Sequence, residues 1–182
     1  GTVANFDVLM VSDLRWRGGS VALLADEIRA QATAGYRTAL LHVDAASTPE
    51  PAGISRPLRT VIYEGGAELM LPEDQIHARH AIVWGAHAAQ ALTGPYRDIT
   101  AQGVSLIANR TPGDAAAPYA PDRADEAIWR SFGHRPSWRP TDPVVRHSLS
   151  HLDIDLAAED WLRIVDAGTR PPDRAGALSI RP

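Results

Sequence analysis

Apolar and polar positions fall into blocks along the first half of the chain, and the blocks carry two periods. Residues 6–11 (FDVLMV) form a short run rich in strand formers, closed by the polar stretch SDLRWRGGS. From Ser20, a good N-cap just after Gly18 and Gly19, the residues Val21, Leu24, Ala25, Ile28 and Ala32 recur at helical spacing. Asp26, Glu27, Arg29 and Gln31 are assigned to the opposite, polar side, and Gly35 supplies the C-terminal stop. Residues 38–43 (TALLHV) are again apolar and nearly continuous, as a strand covered on both faces should be. Strand, tight loop, helix, strand reads as a right-handed βαβ unit and predicts a parallel sheet.

The alternation continues. The pattern predicts a short helix over 57–64, strands over 67–71 (AELML) and 81–84 (AIVW), and a helical piece over 87–92. A strand over 104–108 (VSLIA) and a helix over 122–132, opened by Pro121 and Asp122, come next. Helices are expected over 143–150 and 156–164, and a loop or linker over 169–182. No proline precedes Pro49, whereas nine of the fourteen fall from Pro112 onward, so the second half is joined by stiffer loops. The expectation is one α/β domain over residues 1–182, built in three layers around a mostly parallel sheet.

Composition narrows the chemistry. A 45% apolar and 22% charged chain has the balance of a globular domain. A net charge of -4 argues against a broad nucleic-acid footprint. There is no Cys, which removes disulfides, thiolate nucleophiles and zinc–thiolate sites. All 18 basic residues are Arg, so a P-loop lysine, a Schiff-base lysine and a lysine general base are excluded. No run approaches a membrane span, and no basic segment precedes the first apolar run as in a secretory signal, so a cytoplasmic location is expected.

In an open parallel sheet, ligands bind at the carboxyl ends of the strands. That directs attention to the loops 12–20, 44–47, 85–87 and 109–114. The first is the richest. Gly18, Gly19 and Ser20 open a helix, where backbone N–H groups and the helix dipole can face an anion. Arg15 and Arg17 stand beside it with forks suited to phosphate or carboxylate, and Asn109 and Arg110 close a second strand end. A tight strand-to-helix turn would use the same glycines. The spaced third glycine of a dinucleotide fingerprint is absent.

Histidines and tryptophans complete the candidates. His87 in a strand-end loop is a possible base, and Asp13 is the other. His77 and His80 read as a solvated turn before a strand, and His147 and His151 as an exposed helix end; neither pair is taken as a metal site. His42 reads as a satisfied strand-end group. Trp16 and Trp84, near strand ends, suit the face of a saccharide, whereas Trp129 and Trp161 are expected in the core.

The segment FDVLMVSDLRWRGGSVALLADEIRAQATAGYRTALLHVD resembles the opening βαβ unit of bacterial family-4-type glycosyltransferases with the GT-B fold. The stretches YEGGAELMLP and VSLIANRTPGD resemble later strand–loop units of the same N-terminal, Rossmann-like domain. The resemblance implies the acceptor-side half of an enzyme that transfers a sugar from a nucleotide-sugar donor, with no cofactor. Its partner would be a second, donor-binding Rossmann domain. Gly18 and Gly19 match the family's glycine loop near the donor phosphates, and His87 matches its strand-end histidine. The family's pair of glutamates eight positions apart is missing, so this chain alone is not expected to turn over. The alternative is a non-enzymatic α/β module that binds an anionic small molecule or a partner protein at the strand-end face.

Overall fold

Apolar side chains on both faces place β1 (Ala4–Ser12) inside a sheet: Val8 and Met10 enter one apolar layer, Leu9 and Val11 the other. The computed structural model describes residues 2–16, 19–45 and 53–161. β1 pairs in parallel with β2 (Thr38–His42) on one side and with β4 (Ile76–Trp84) on the other. β3 (Glu68–Met70) extends the sheet beyond β2, and β6 (Val104–Ala108) and β7 (Ser137–Pro140) extend it beyond β4. The order β3-β2-β1-β4-β6-β7 is parallel throughout. β5 (Ile99–Ala101) pairs with the first residues of β4, and β6 with the last, so the two border β4 as one interrupted strand.

Helices cover both faces. α1 (Gly19–Thr33) and α2 (Arg56–Tyr63) pack Leu24, Ile28, Leu58 and Val61 against the Met10 side. α3 (Ala86–Ala89), α4 (Pro121–Phe132) and α5 (Pro143–Leu149) pack Ala89, Ile128 and Leu149 against the Leu9 side. The chain is a three-layer, Rossmann-like α/β fold. Among the described residues no helix is long and apolar enough to cross a membrane.

Several elements differ from the sequence reading. β4 begins at Ile76 and not at residue 81, because Ile76 and Ala78 alternate inward between polar neighbours. His77 and His80 therefore lie in a strand and not in a turn. Short β5 and β7 were not expected. On α1 the three-and-four repeat from Leu24 through Ile28 reaches Gln31 and not Ala32. Glu27 and Gln31 are buried, and Ala32 is exposed. Burial of Gln31 is supported by a 2.9 Å bond from the Thr38 hydroxyl to its Oε1.

The helix expected over 156–164 does not form across its described part. Trp138 N–H donates to Asp155 O at 2.7 Å and Ala157 N–H to Trp138 O at 2.8 Å, so the segment runs beside β7 as an extended bridge. Residues 162–164 and the expected linker over 169–182 lie outside the described residues. Trp161 is buried as expected, but Trp129 is 57% exposed. It sits one residue beyond Ile128, off the α4 face that meets the sheet.

That face holds one buried carboxylate. Asp125 accepts from Trp138 Nε1 at 2.8 Å and from Arg135 Nε and Nη2 at 3.1 and 3.0 Å. Asp125→Ala would leave the fully buried indole N–H without its acceptor, a loss of about 1–3 kcal/mol. Urea denaturation should show that loss, with Asp125→Asn recovering part of it because an amide oxygen still accepts. Equal stability of wild type and Asp125→Ala would mean that the indole has found another acceptor.

Candidate functional site

The sheet's connections diverge at β1: β2 lies to one side, and the chain later returns to lay β4 on the other. A crevice opens at the carboxyl ends of two such strands, because their loops leave in opposite directions. Here the floor is tied by Ser12, whose Oγ donates to Trp84 O at 2.8 Å. Described residues after β1, β4 and β6 meet at this end of the sheet: Trp16, His87 and Arg110.

Asp13 opens the first loop, and its side chain has no solvent exposure. Oδ1 accepts from the backbone N–H and Nε of Arg15 at 3.0 and 3.1 Å. Oδ2 accepts from Arg15 Nη2 at 3.1 Å and from Ala45 N–H at 3.0 Å. The carboxylate thus joins the loop after β1 to the loop after β2, where no acceptor hydroxyl can reach it. Arg15 is itself buried and also lies 3.4 Å from Asp44. Its fork serves carboxylates of this chain. His42 accepts from Leu14 N–H at Nδ1 (3.1 Å), leaving Nε2 to donate to Asp44 at 2.7 Å.

Beyond Arg15, Trp16 turns over the crevice. Its ring centroid lies 5.2 Å from that of His87, at a tilt of 53°. Arg110 Cζ stands 5.6 Å from the same indole centroid, within cation–π range. Gly85, between β4 and α3, has φ 92°, a conformation that favours glycine. A Cβ there would come within 2.8 Å of His87 Cε1, so the imidazole lies directly on the glycine backbone. Asn109 is half-buried on the same side.

Electrostatics distinguish these groups. Burial, followed by the Arg110 guanidinium, holds His87 below its ordinary pKa, against a weaker opposing pull from Asp13 and Asp114. A neutral imidazole results at neutral pH, and it can accept a proton or a hydrogen bond. Arg110 donates to Asp114 Oδ2 at 3.1 Å, while its backbone carbonyl accepts from Tyr119 OH at 2.7 Å. The Ala116 N–H, then Arg110, hold Asp114 ionised.

The candidates read from the sequence separate accordingly. Trp16, His87, Asn109 and Arg110 gather at the crevice, whereas Asp13 and Arg15 form its internal brace. α1 begins nearby at Gly19, so Ser20 lies inside the helix and not at its expected cap position. Arg17 and Gly18 lie outside the described residues. Trp84 is buried against the α1 and α2 layer, so it offers no face to a saccharide. Asp114 and the glycine under His87 were missed as partners: Arg110 and Asp114 are spaced four apart, but in a loop that spacing does not announce a pair. Among the described residues no three His, Asp or Glu side chains converge on a metal position.

The histidines of β4 serve the sheet. His77 Nδ1 pairs with Thr100 Oγ1 and His80 Nε2 with Ser105 Oγ, each at 2.8 Å. Burial, with the charge of Arg139 adding to it, lowers His80 to about 3. An unfolded histidine titrates near 6.5, so the contribution to stability is complete above that pH and is lost as pH falls towards 3. Between pH 7 and pH 5 the loss should be about 2 kcal/mol. Urea midpoints at the two pH values should separate less in His80→Gln, and identical pH sensitivity would assign the effect elsewhere. No family model, curated protein or solved structure matches this chain.

Proposed function

We propose that the chain is the acceptor-side half of a glycosyltransferase, which presents an acceptor to a nucleotide-sugar held by a second Rossmann-like domain. One observation carries the reading: a neutral imidazole, an indole face and a guanidinium meet at the crevice where the strand order reverses. An indole provides a flat apolar face for a sugar ring. A neutral His87 accepts a proton from an acceptor hydroxyl, or orients that hydroxyl through a hydrogen bond. Arg110 spends one nitrogen on Asp114 and keeps its other guanidinium donors for a phosphate oxygen.

Within this reading His87, and not Asp13, is the group that meets the acceptor. The Asp13 carboxylate accepts from Arg15 and from the Ala45 N–H and has no solvent exposure. The glycosyl-transfer step itself would need the donor half, so binding is the property to measure on this chain. Calorimetry with uridine and guanosine diphosphates and with simple saccharides should detect a ligand. His87→Ala and Arg110→Ala should each weaken it roughly tenfold, about 1.4 kcal/mol, with the fold retained. Unchanged affinity in both variants would remove the crevice from the reading. Tight anion binding with no saccharide affinity would favour a non-enzymatic anion-binding module.

A further inference from the structure

Trp16 takes part in two settings. In one it contacts His87; in the other it lines a groove of about 380 Å³ with Val21, Ile54, Ser55, Arg56 and Arg59. The groove lies over the N-terminus of α2, and its cations differ from other arginines of the described residues. Arg29, Arg37, Arg110, Arg135 and Arg146 each face a carboxylate. Arg56 and Arg59 are exposed, and neither guanidinium has a carboxylate or hydrogen-bond partner among the described residues. Being three apart on a helix, they share a face.

Ser55 supplies an independent observation. It occupies the N-cap position of α2 but makes no side-chain capping bond. It is only 9% exposed, and its buried Oγ has no hydrogen-bond partner among the described residues. A buried hydroxyl without a partner costs stability, which is tolerated where a ligand completes the bond. Its backbone is fixed all the same, since Ser55 N–H donates to Leu14 O at 2.8 Å. Pro57 removes one N–H from the first turn, and the N–H of Arg56 remains at the positive end of the helix.

We infer that this groove binds the phosphate group of a phosphorylated small molecule, between Arg56 and Arg59 and beside the Ser55 hydroxyl. Two guanidinium forks and a hydroxyl supply several donors for a tetrahedral dianion, more than a single carboxylate can use. The indole of Trp16 and the side chains of Val21 and Ile54 provide an apolar wall for the rest of the molecule, and the volume suits a phosphorylated monosaccharide. The inference does not depend on glycosyl transfer, because neither His87 nor Arg110 lines the groove.

Calorimetry on the 182-residue chain tests it, with glucose 6-phosphate and inorganic phosphate as probes and glucose and glucuronate as controls. Glucose 6-phosphate should bind, and both controls should bind at least roughly tenfold more weakly. The double variant Arg56→Ala/Arg59→Ala should lose roughly tenfold or more in affinity, whereas Arg123→Ala/Arg130→Ala, an equal charge change on α4, should not. Ser55→Ala should weaken binding roughly threefold with a melting temperature unchanged or raised, since it deletes an unpaired buried hydroxyl. Absence of binding, equal affinity for glucuronate, or equal losses in the two double variants would overturn the assignment. So would a loss seen in His87→Ala and Arg110→Ala but not in Arg56→Ala/Arg59→Ala, a result that would place the anion in the crevice and leave the reading of that site intact.

Discussion

The Asp13 carboxylate, shut away from solvent, holds the loops of the candidate site in register. A charge without hydration is tolerable only when donors replace the water, and here Arg15 and Ala45 do so. Breaking such a pair strands one buried charge, at a cost of about 3–5 kcal/mol. The geometry has a further effect. Because Arg15 folds back on Asp13, the chain reverses direction and Trp16, the next residue, emerges over the sheet end. Ala45 N–H binds the same carboxylate, so the loop after β2 cannot drift from the loop after β1. The contacts of Trp16, with His87 and with the groove at α2, inherit their positions from this brace.

The alternation of apolar runs made the central sheet legible. β1 and β2 are covered on both faces, so their sequences are nearly uniform in polarity and bounded by glycine or charge. Legibility failed where neighbours decide. The first half of β4 alternates with His77, Arg79 and His80, a pattern shared by solvated turns, and only pairing with β1 and β5 settles it. Residues 155–157 have the composition of a helix start, yet Trp138 offers both a donor and an acceptor to an extended chain. On α1 the phase was misread by one position, since Gln31 is polar by type but buried by a bond to Thr38. Trp129 shows the converse: a large apolar residue left outside because it falls one position off the face that carries Ala124, Ile128 and Phe132.

For the site, strand-end loops and residue types were informative, but pairings were not. An arginine next to glycines reads as an anion receptor whether its anion is a ligand or a carboxylate two residues away. For Arg15 the answer is Asp13. His87 was recognisable as a strand-end histidine, although its neutrality depends on burial and on Arg110, which is remote in sequence. The groove at α2 was not legible at all. Ser55 looks like an ordinary cap, and only the missing capping bond distinguishes it.

Gly85 bears on how tolerance to substitution should be read in this chain. The residue has no side chain, yet both its left-handed backbone and the imidazole lying on it forbid one. In a saturation-mutagenesis screen, position 85 would rank with the most sensitive positions and look like a contact residue. Its real contribution is empty space. The orientation of His87 is encoded two residues away, in an atom that the chain omits.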